Sequence, residues 1–412
     1  MAYWFHRNPI KATAPVTFEL KSMLTRDEAR MLCSGLRRRR ERLVEKFADA
    51  RHNVDDLDED FTKYLQGFAG FIYPFGETSK EKSKLTPVIM FKWTESVLGT
   101  TQQVGNTWFE ALNICLNMAL WLTKHAAWVA AKNEVRENDA KLVHTCLRRA
   151  AGIFTFVCSN YSKVSDAQCQ SGSDFDPAVL STYIAQCLAE AQEVAIARAI
   201  ELEHASSVIA ALANDTVRLF QIADSHLEKL DESLFGKWRR YLQLKSELYK
   251  AYKYAFSGDY LLSVNKCGDA IRACREGLSH FNIASDFCQK YSAATGPGTS
   301  ARIERHPFFQ RAEHLLKRYL DKAEIQNNLI YHERIPEDCP EIEMKNVYGL
   351  VQPQSFELPK GDEIWSARLY ASFDLSKSVT PDFSKLQRSK VSLPPVKEAK
   401  IYEKEQDSTM LS

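Results

Sequence analysis

Ten cysteines and ten histidines are the side chains of this 412-residue sequence best suited to nucleophilic or metal chemistry. The cysteines (Cys33, Cys115, Cys146, Cys158, Cys169, Cys187, Cys267, Cys274, Cys288 and Cys339) are scattered, with no C-x-x-C pair and no histidine at zinc-site spacing. They read as reduced thiols, mostly packed in a core. Cys267 and Cys274 share a helical face roughly 10 Å apart along the axis, too far for an undistorted disulfide. His125, His144, His204 and His226 fall inside predicted helices and read as structural or surface residues. No phosphate cradle, H-E-x-x-H pair, nucleophile elbow or kinase signature occurs, and Gly296-Pro297-Gly298 lacks a following Lys-Ser/Thr. Catalytic groups assemble in space rather than in sequence, but these spacings predict no enzyme, no metal and no cofactor.

The densest charge is Arg37-Arg38-Arg39-Arg40, with Arg42 close behind. Four consecutive helical residues at about 100° each sweep roughly 300° around the axis, so they cannot all face one ligand. A solvated helix with mixed salt bridges is expected there, in preference to a contact with anionic lipid. The formal net charge is +1, from 54 basic and 53 acidic residues, so no global field favours nucleic acid or a membrane.

The elements that must position any site are helical. From Thr25 onward apolar residues recur at three- and four-residue intervals, which predicts helices over 26–51, 58–71, 88–98, 106–131, 137–160, 177–203, 205–231, 234–257, 260–277, 279–291 and 307–328. The apolar window Ala111 to Ala131 contains Asn113, Asn117, Lys124 and His125 and reads as a buried core helix rather than a membrane span. Trp238, Tyr241, Leu244, Tyr252 and Tyr254 lead to Gly258 and Tyr260, then Ala270 and Ala273, in the manner of a tetratricopeptide hairpin without its clean period. Stacked helix pairs leave a curved face suited to other helices or extended peptides. Thr295-Gly296-Pro297-Gly298-Thr299 predicts a loop, and the prolines after Ile335 predict an irregular strap. Beyond Leu375 the polar composition predicts a disordered tail. Neither a secretory signal nor a disulfide framework is present in the pattern, which points to a cytosolic chain.

One helix carries a binding question. Within Ala205 to Asp231, Ile209, Ala213, Thr216, Phe220, Ala223 and Leu227 form a core-facing stripe. Val208 and Leu212 form a second i,i+4 pair about 100° away, and the residues alone leave open whether that pair packs on another layer or lines an apolar groove.

The sequence resembles the BRO-domain family. The resemblance begins at Trp4-Phe5-His6-Arg7-Asn8-Pro9 and Lys11-Ala12-Thr13-Ala14-Pro15-Val16. It continues through Phe91-Lys92-Trp93-Thr94, Ala151-Gly152-Ile153-Phe154, Ala191-Gln192-Glu193-Val194, Ile196 to Leu202 and Lys266-Cys267-Gly268, and reaches Tyr348-Gly349-Leu350-Val351 and Phe356-Glu357. It implies a mainly α, boomerang-shaped helical solenoid with tetratricopeptide-like hairpins and a small β element near the N-terminus. On this reading the BRO domain covers residues 1–375 and a flexible polar tail covers 376–412.

The resemblance also implies a non-enzymatic adaptor whose concave groove takes the amphipathic C-terminal helix of an ESCRT-III subunit of the charged multivesicular body protein class. The family's groove positions fall here on Ala195, Arg198, Val208 and Leu212, with Glu137 and Lys141 from a neighbouring helix. Leu212→Asp is then expected to abolish capture of that helix with little loss of stability. Chains most like this one end in a C-a-a-X prenylation box, whereas Thr409-Met410-Leu411-Ser412 offers no cysteine. No lipidation, and recruitment through the partner to endosomal membranes or the nuclear envelope, is the expectation. Two other readings compete with it: a tetratricopeptide-like chaperone cofactor, which needs a basic carboxylate clamp, and an unrecognised enzyme, which needs titratable clusters in a cleft.

Overall fold

The helical periodicity folds, in a computed structural model that describes residues 5–20, 22–76, 82–132, 135–164, 169–300, 307–340, 349–377 and 392–402, as a mainly α protein. Its helices are α1 (Asp27–Phe47), α2 (Val54–Ile72), α3 (Thr107–Ala130), α4 (Glu137–Asn160), α5 (Pro177–Glu201), α6 (Ser206–Leu227), α7 (Glu232–Ser263), α8 (Cys267–Ala293), α9 (Pro307–Gln326) and the short α10 (Ala367–Ala371). Two strands, β1 (Phe91–Thr94) and β2 (Thr101–Val104), form an antiparallel hairpin. The chain divides into two compact units. The first holds residues up to Asn8, His125–Gly152 and Ala178–Gln354; the second holds Pro9–Lys124, Ile153–Pro177 and the chain from Ser355.

In the second unit the expected helix over 88–98 is corrected to strand β1. Its spacing of apolar residues suits a helix, but the backbone finds partners on both edges. Thr94 N–H donates to the Ala12 carbonyl at 2.9 Å and Ala14 N–H to the Lys92 carbonyl at 3.1 Å, while β2 pairs on the other side. Saturation of both edges favours the extended form. Residues 12–14 therefore supply, with the hairpin, the small β element near the N-terminus.

Beneath the hairpin lies Glu110 of α3, wholly buried. Its carboxylate accepts from Arg40 Nε at 2.8 Å, Trp93 Nε1 at 2.7 Å and the Tyr64 hydroxyl at 3.0 Å. Arg40 thus turns inward from the arginine run. Elsewhere in that run Arg37 pairs with Glu41 at 3.0 Å and Arg42 with Asp60 at 3.0 Å, the mixed salt bridges expected. Asn117 of α3 clasps the backbone of Lys11 from both sides, accepting its N–H at 2.9 Å and donating to its carbonyl at 3.0 Å. Asn113, Asn117, Lys124 and His125 of the apolar window in α3 are thus buried, Asn117 as a fastener, and no described helix is long and apolar enough to cross a membrane.

The expected disordered tail is corrected for residues 392–402, which lie against the second unit. Glu398 pairs with Lys124, Ala399 N–H donates to the Ala48 carbonyl at 2.8 Å, and Ile401 is buried. Specific anchors outweigh the polar composition there. The remaining tail residues, 378–391 and 403–412, lie outside the described residues, as does the C-terminal Thr409-Met410-Leu411-Ser412.

The first unit stacks α6, α7, α8 and α9 as successive antiparallel neighbours. Here the hairpin turn expected at Gly258 is corrected: α7 runs on to Ser263, and the chain reverses at 264–266, where Asn265 adopts φ +61°. Gly258 serves packing instead. A Cβ there would lie 2.5 Å from Cys274 Sγ on α8, so the missing side chain is what lets the two helices approach. Helix α8 likewise continues unbroken through Gly277 to Ala293. All ten cysteines are free thiols and seven are buried.

The N-terminal residues are threaded into this unit. The His6 ring contacts the Tyr291 hydroxyl at 3.1 Å, and Thr299 N–H donates to the Arg7 carbonyl at 2.8 Å. Thr299 belongs to the Gly-Pro loop expected from the sequence.

Candidate partner-binding face

Helix α5 is buried along most of its length, including residues of the Ala191-Gln192-Glu193-Val194 motif. Burying carboxylates demands partners, and each finds one. Glu190 accepts from both guanidinium nitrogens of Arg7 at 3.0 and 2.7 Å, and from the Tyr241 hydroxyl at 2.7 Å. Both oxygens of Glu193 lie 2.9 Å from Lys245 Nζ. Burial pushes the Glu193 carboxyl up to about 7 and the Lys245 ammonium down, so desolvation outweighs their attraction. The motif is thus a scaffold that fixes α5 against α7.

What α5 leaves open lies toward its C-terminal end. Ala195 and Arg198 are half-buried, at i and i+3 on one face. The chain then breaks at Glu203, with φ +53°, where His204 N–H closes on the Ala199 carbonyl at 3.0 Å. This tight reversal starts α6 only a few residues later and brings Val208 into its first turn, half-buried. The core stripe of α6 expected from the sequence is buried throughout.

Leu212 differs from Val208. It is 6 % exposed, and its carbonyl accepts from Gln192 Nε2 at 3.1 Å and Thr216 Oγ1 at 2.9 Å. Gln192 also holds Asp215, on the next turn, at 3.0 Å. Leu212 is therefore embedded in the α5–α6 contact, and Val208 is the more accessible of the pair.

A chain of exposed charges borders these residues. Arg198 lies 3.8 Å from Glu137 and 3.5 Å from Glu201, and Glu137 lies 3.0 Å from Lys141. The Lys141 hydrogen bond, then the charges of Lys141 and Arg198, hold the Glu137 carboxyl below its ordinary range. All of these side chains are more than a third exposed, so the pairs contribute little to stability and can re-pair with a charged ligand. The structure thus brings Arg198, Glu137 and Lys141 together by direct contact, and places Ala195 and Val208 on the two helices joined by the turn.

Sequence reasoning missed Leu202, 53 % exposed just past the end of α5. Its signal was present: Ala195, Arg198 and Leu202 follow i, i+3, i+7. It also missed the Arg7–Glu190–Tyr241 and Glu193–Lys245 clusters. These titratable groups are closed to solvent and satisfied by one another, which is the arrangement of a structural network rather than of a substrate cleft. Among the described residues no group of three or more acidic, histidine or cysteine side chains could hold a metal ion.

The family model for the BRO1-like domain matches residues 25–409. That span passes the expected domain end at 375 and includes the docked residues 392–402. The chain is 46% identical to the BRO1 domain-containing protein BROX homolog of Caenorhabditis elegans, over 99% of this chain and 98% of that protein. It is 39% identical to the human BRO1 domain-containing protein BROX, over 93% of each. Among solved structures, an ALIX BRO1 CHMP4C complex matches with TM-score 0.65 at 17% identity, covering 88% of this chain and 98% of that one. A structure describing the basis for endosomal targeting by the Bro1 domain matches with TM-score 0.62, covering 92% of this chain and 98% of that one. With the family model matching most of its length and relatives 39–46% identical over at least 93% of it, the chain belongs to the BRO1-like domain family.

Proposed function

We propose that this chain is a non-enzymatic adaptor whose α5–α6 face captures the amphipathic C-terminal helix of an ESCRT-III subunit of the charged multivesicular body protein class. The observation that carries the reading is the pairing of accessible Ala195 and Val208 with the re-pairable charges Arg198, Glu137 and Lys141. An incoming amphipathic helix offers apolar anchors for the first and carboxylates for Arg198. Burial of one leucine-sized anchor contributes about 1.5–3 kcal/mol, so a few anchors give modest affinity. The fold shared with the ALIX BRO1 domain, found in complex with CHMP4C, supports this choice of partner over a chaperone tail or a small-molecule substrate.

In this reading Leu212, buried one turn along α6 from Val208, supports the face from within the helix pair. Membrane remodelling at endosomes or at the nuclear envelope is the process served, with cytoplasmic protein recruited through the partner.

The test is titration of the purified chain with a fluorescent peptide spanning the C-terminal helix of such a subunit, beside Val208→Asp and Arg198→Glu. Saturable binding by the wild type, lost in both folded variants, is expected. Equal binding by all three removes the face from the proposal, and no binding by the wild type removes the partner.

A further inference from the structure

The reversal between α5 and α6 holds side chains that the adaptor reading leaves unused. Leu202 N–H donates to the Arg198 carbonyl at 2.9 Å, so helical register runs one residue past the end of α5. Leu202 therefore lies on the face of Ala195 and Arg198, about 10 Å along the axis from Ala195. It is 53 % exposed, a large apolar side chain set where the buried length of α5 gives out.

Two amides close the helix behind it. Glu203 N–H donates to the Ile200 carbonyl at 3.3 Å and His204 N–H to the Ala199 carbonyl at 3.0 Å. This is the Schellman pattern, whose left-handed position glycine takes most readily. Here that position is Glu203, at φ +53°. Backbone strain of this kind collects at binding clamps, and a glycine would have closed the turn without placing a carboxylate beside Leu202.

The charges around Leu202 are of one sign. Glu201 and Glu203 flank it in the chain, and both are exposed. Glu201 lies 3.5 Å from Arg198, which also faces Glu137 at 3.8 Å, while Glu203 pairs with no described cation. An incoming carboxylate that takes Arg198 releases Glu201. Two uncompensated carboxylates then bracket one exposed leucine.

On the adaptor reading, on which this inference rests, we propose that Glu201, Leu202 and Glu203 form a selectivity subsite at the end of the α5–α6 face, taking an apolar side chain of the docked helix together with a lysine or arginine beside it. Arg198 and Leu202 are one turn apart. The docked helix therefore carries a carboxylate for Arg198 and, about one turn on, an apolar residue next to a basic one. A helix with a carboxylate in the basic position meets like charge from both glutamates and is rejected. The subsite thus chooses among amphipathic helices that Ala195 and Val208 would accept alike.

The test uses the full chain beside Leu202→Ser, Val208→Asp and a double variant carrying Glu201→Lys and Glu203→Lys. The probes are two forms of the fluorescent peptide titrated above, with lysine or with glutamate at the residue after its last apolar anchor, read by anisotropy at low salt. The wild type is expected to bind the lysine form about ten-fold more tightly, and the double variant to prefer the glutamate form. Leu202→Ser should weaken both forms about ten-fold and keep their order. The wild-type preference should shrink at about 1 M salt, where exposed charges are screened. Glu201, Leu202 and Glu203 are exposed, so these variants should keep the wild-type Tm, and a merely structural role would not reverse a preference. Wild-type binding that Val208→Asp abolishes but Leu202→Ser leaves unchanged, or an order of peptides that the double variant keeps, overturns the subsite and leaves the adaptor reading standing. No binding of either form by the wild type overturns both.

Discussion

Arg7 and Glu190, far apart in the chain, face each other through a two-pronged ion pair at 3.0 and 2.7 Å with both side chains buried. Removing one partner of a buried pair strands the other charge, at about 3–5 kcal/mol. Arg7→Ala is therefore expected to lower the unfolding free energy of the first unit, read from a urea titration, by that amount. A loss under about 1 kcal/mol, the range of exposed pairs, would show that water reaches Glu190.

The neighbouring Glu193 predicts a pH dependence. Burial holds its carboxyl at about 7 in the folded chain, above its ordinary value, so the folded state binds more protons than the unfolded state between about 4.5 and 7. Stability is then greatest toward the acid end of that window and falls as pH rises through it. Glu95 of the second unit, also raised to about 7 by burial, contributes a fall of the same sign. Denaturant midpoints at pH 5, 6 and 7.5 should decline in the wild type and decline less in Glu193→Gln. An unchanged slope in the variant would assign the effect elsewhere.

Val208 and Leu212 separate binding from folding. Leu212→Asp puts a carboxylate where 6 % of the side chain meets solvent, so a marked fall in Tm is expected along with lost binding, in contrast to the neutral effect anticipated from the sequence. Even Leu212→Ala should cost about 2–5 kcal/mol. Val208→Asp should keep Tm within a few degrees while abolishing capture of the helical peptide. A folded, binding-competent Val208→Asp chain would move the partner away from α6.

Gly152 of α4 sits against the strap. A Cβ there would lie 1.7 Å from the Gln354 carbonyl oxygen, whose residue is fastened to α4 by Gln354 N–H donating to the Arg148 carbonyl at 3.0 Å. Alanine improves helix propensity by up to about 1 kcal/mol, but backbone cannot yield as a flexible side chain does. Gly152→Ala is expected to free the strap near residues 349–356, read as faster hydrogen exchange there, with a lower Tm. Unchanged exchange would show that the strap tolerates displacement.

The helices were legible because the apolar spacing that buries one face is visible in the residues themselves. The exceptions have local causes. Residues 91–94 carry helix-like spacing but find two extended neighbours, and Gly258 resembles a turn signal when it is a contact point for Cys274. The docked residues 392–402 were hidden by a polar, proline-rich composition, since anchoring by Lys124 and Ala48 leaves no periodic trace. The candidate face was legible only by resemblance. Spacing alone left Val208 and Leu212 undecided, and it took the contacts of Arg198 with Glu137 to bring α4 beside α5. The buried pairs at Glu190 and Glu193 escaped notice because charged residues read as surface until their partners are known.

The threading of His6 and Arg7 onto Tyr291 and Thr299 has a consequence for biosynthesis. Residues 6 and 7 leave the ribosome well ahead of their partners, which follow nearly three hundred positions later. At about 5–20 residues per second that is roughly 15–60 s during which Phe5 and the Arg7 guanidinium have no finished pocket to enter. Helices α1 and α2 can close on each other meanwhile, but the N-terminal thread is a late stitch, set only once α8 and the loop after it have emerged.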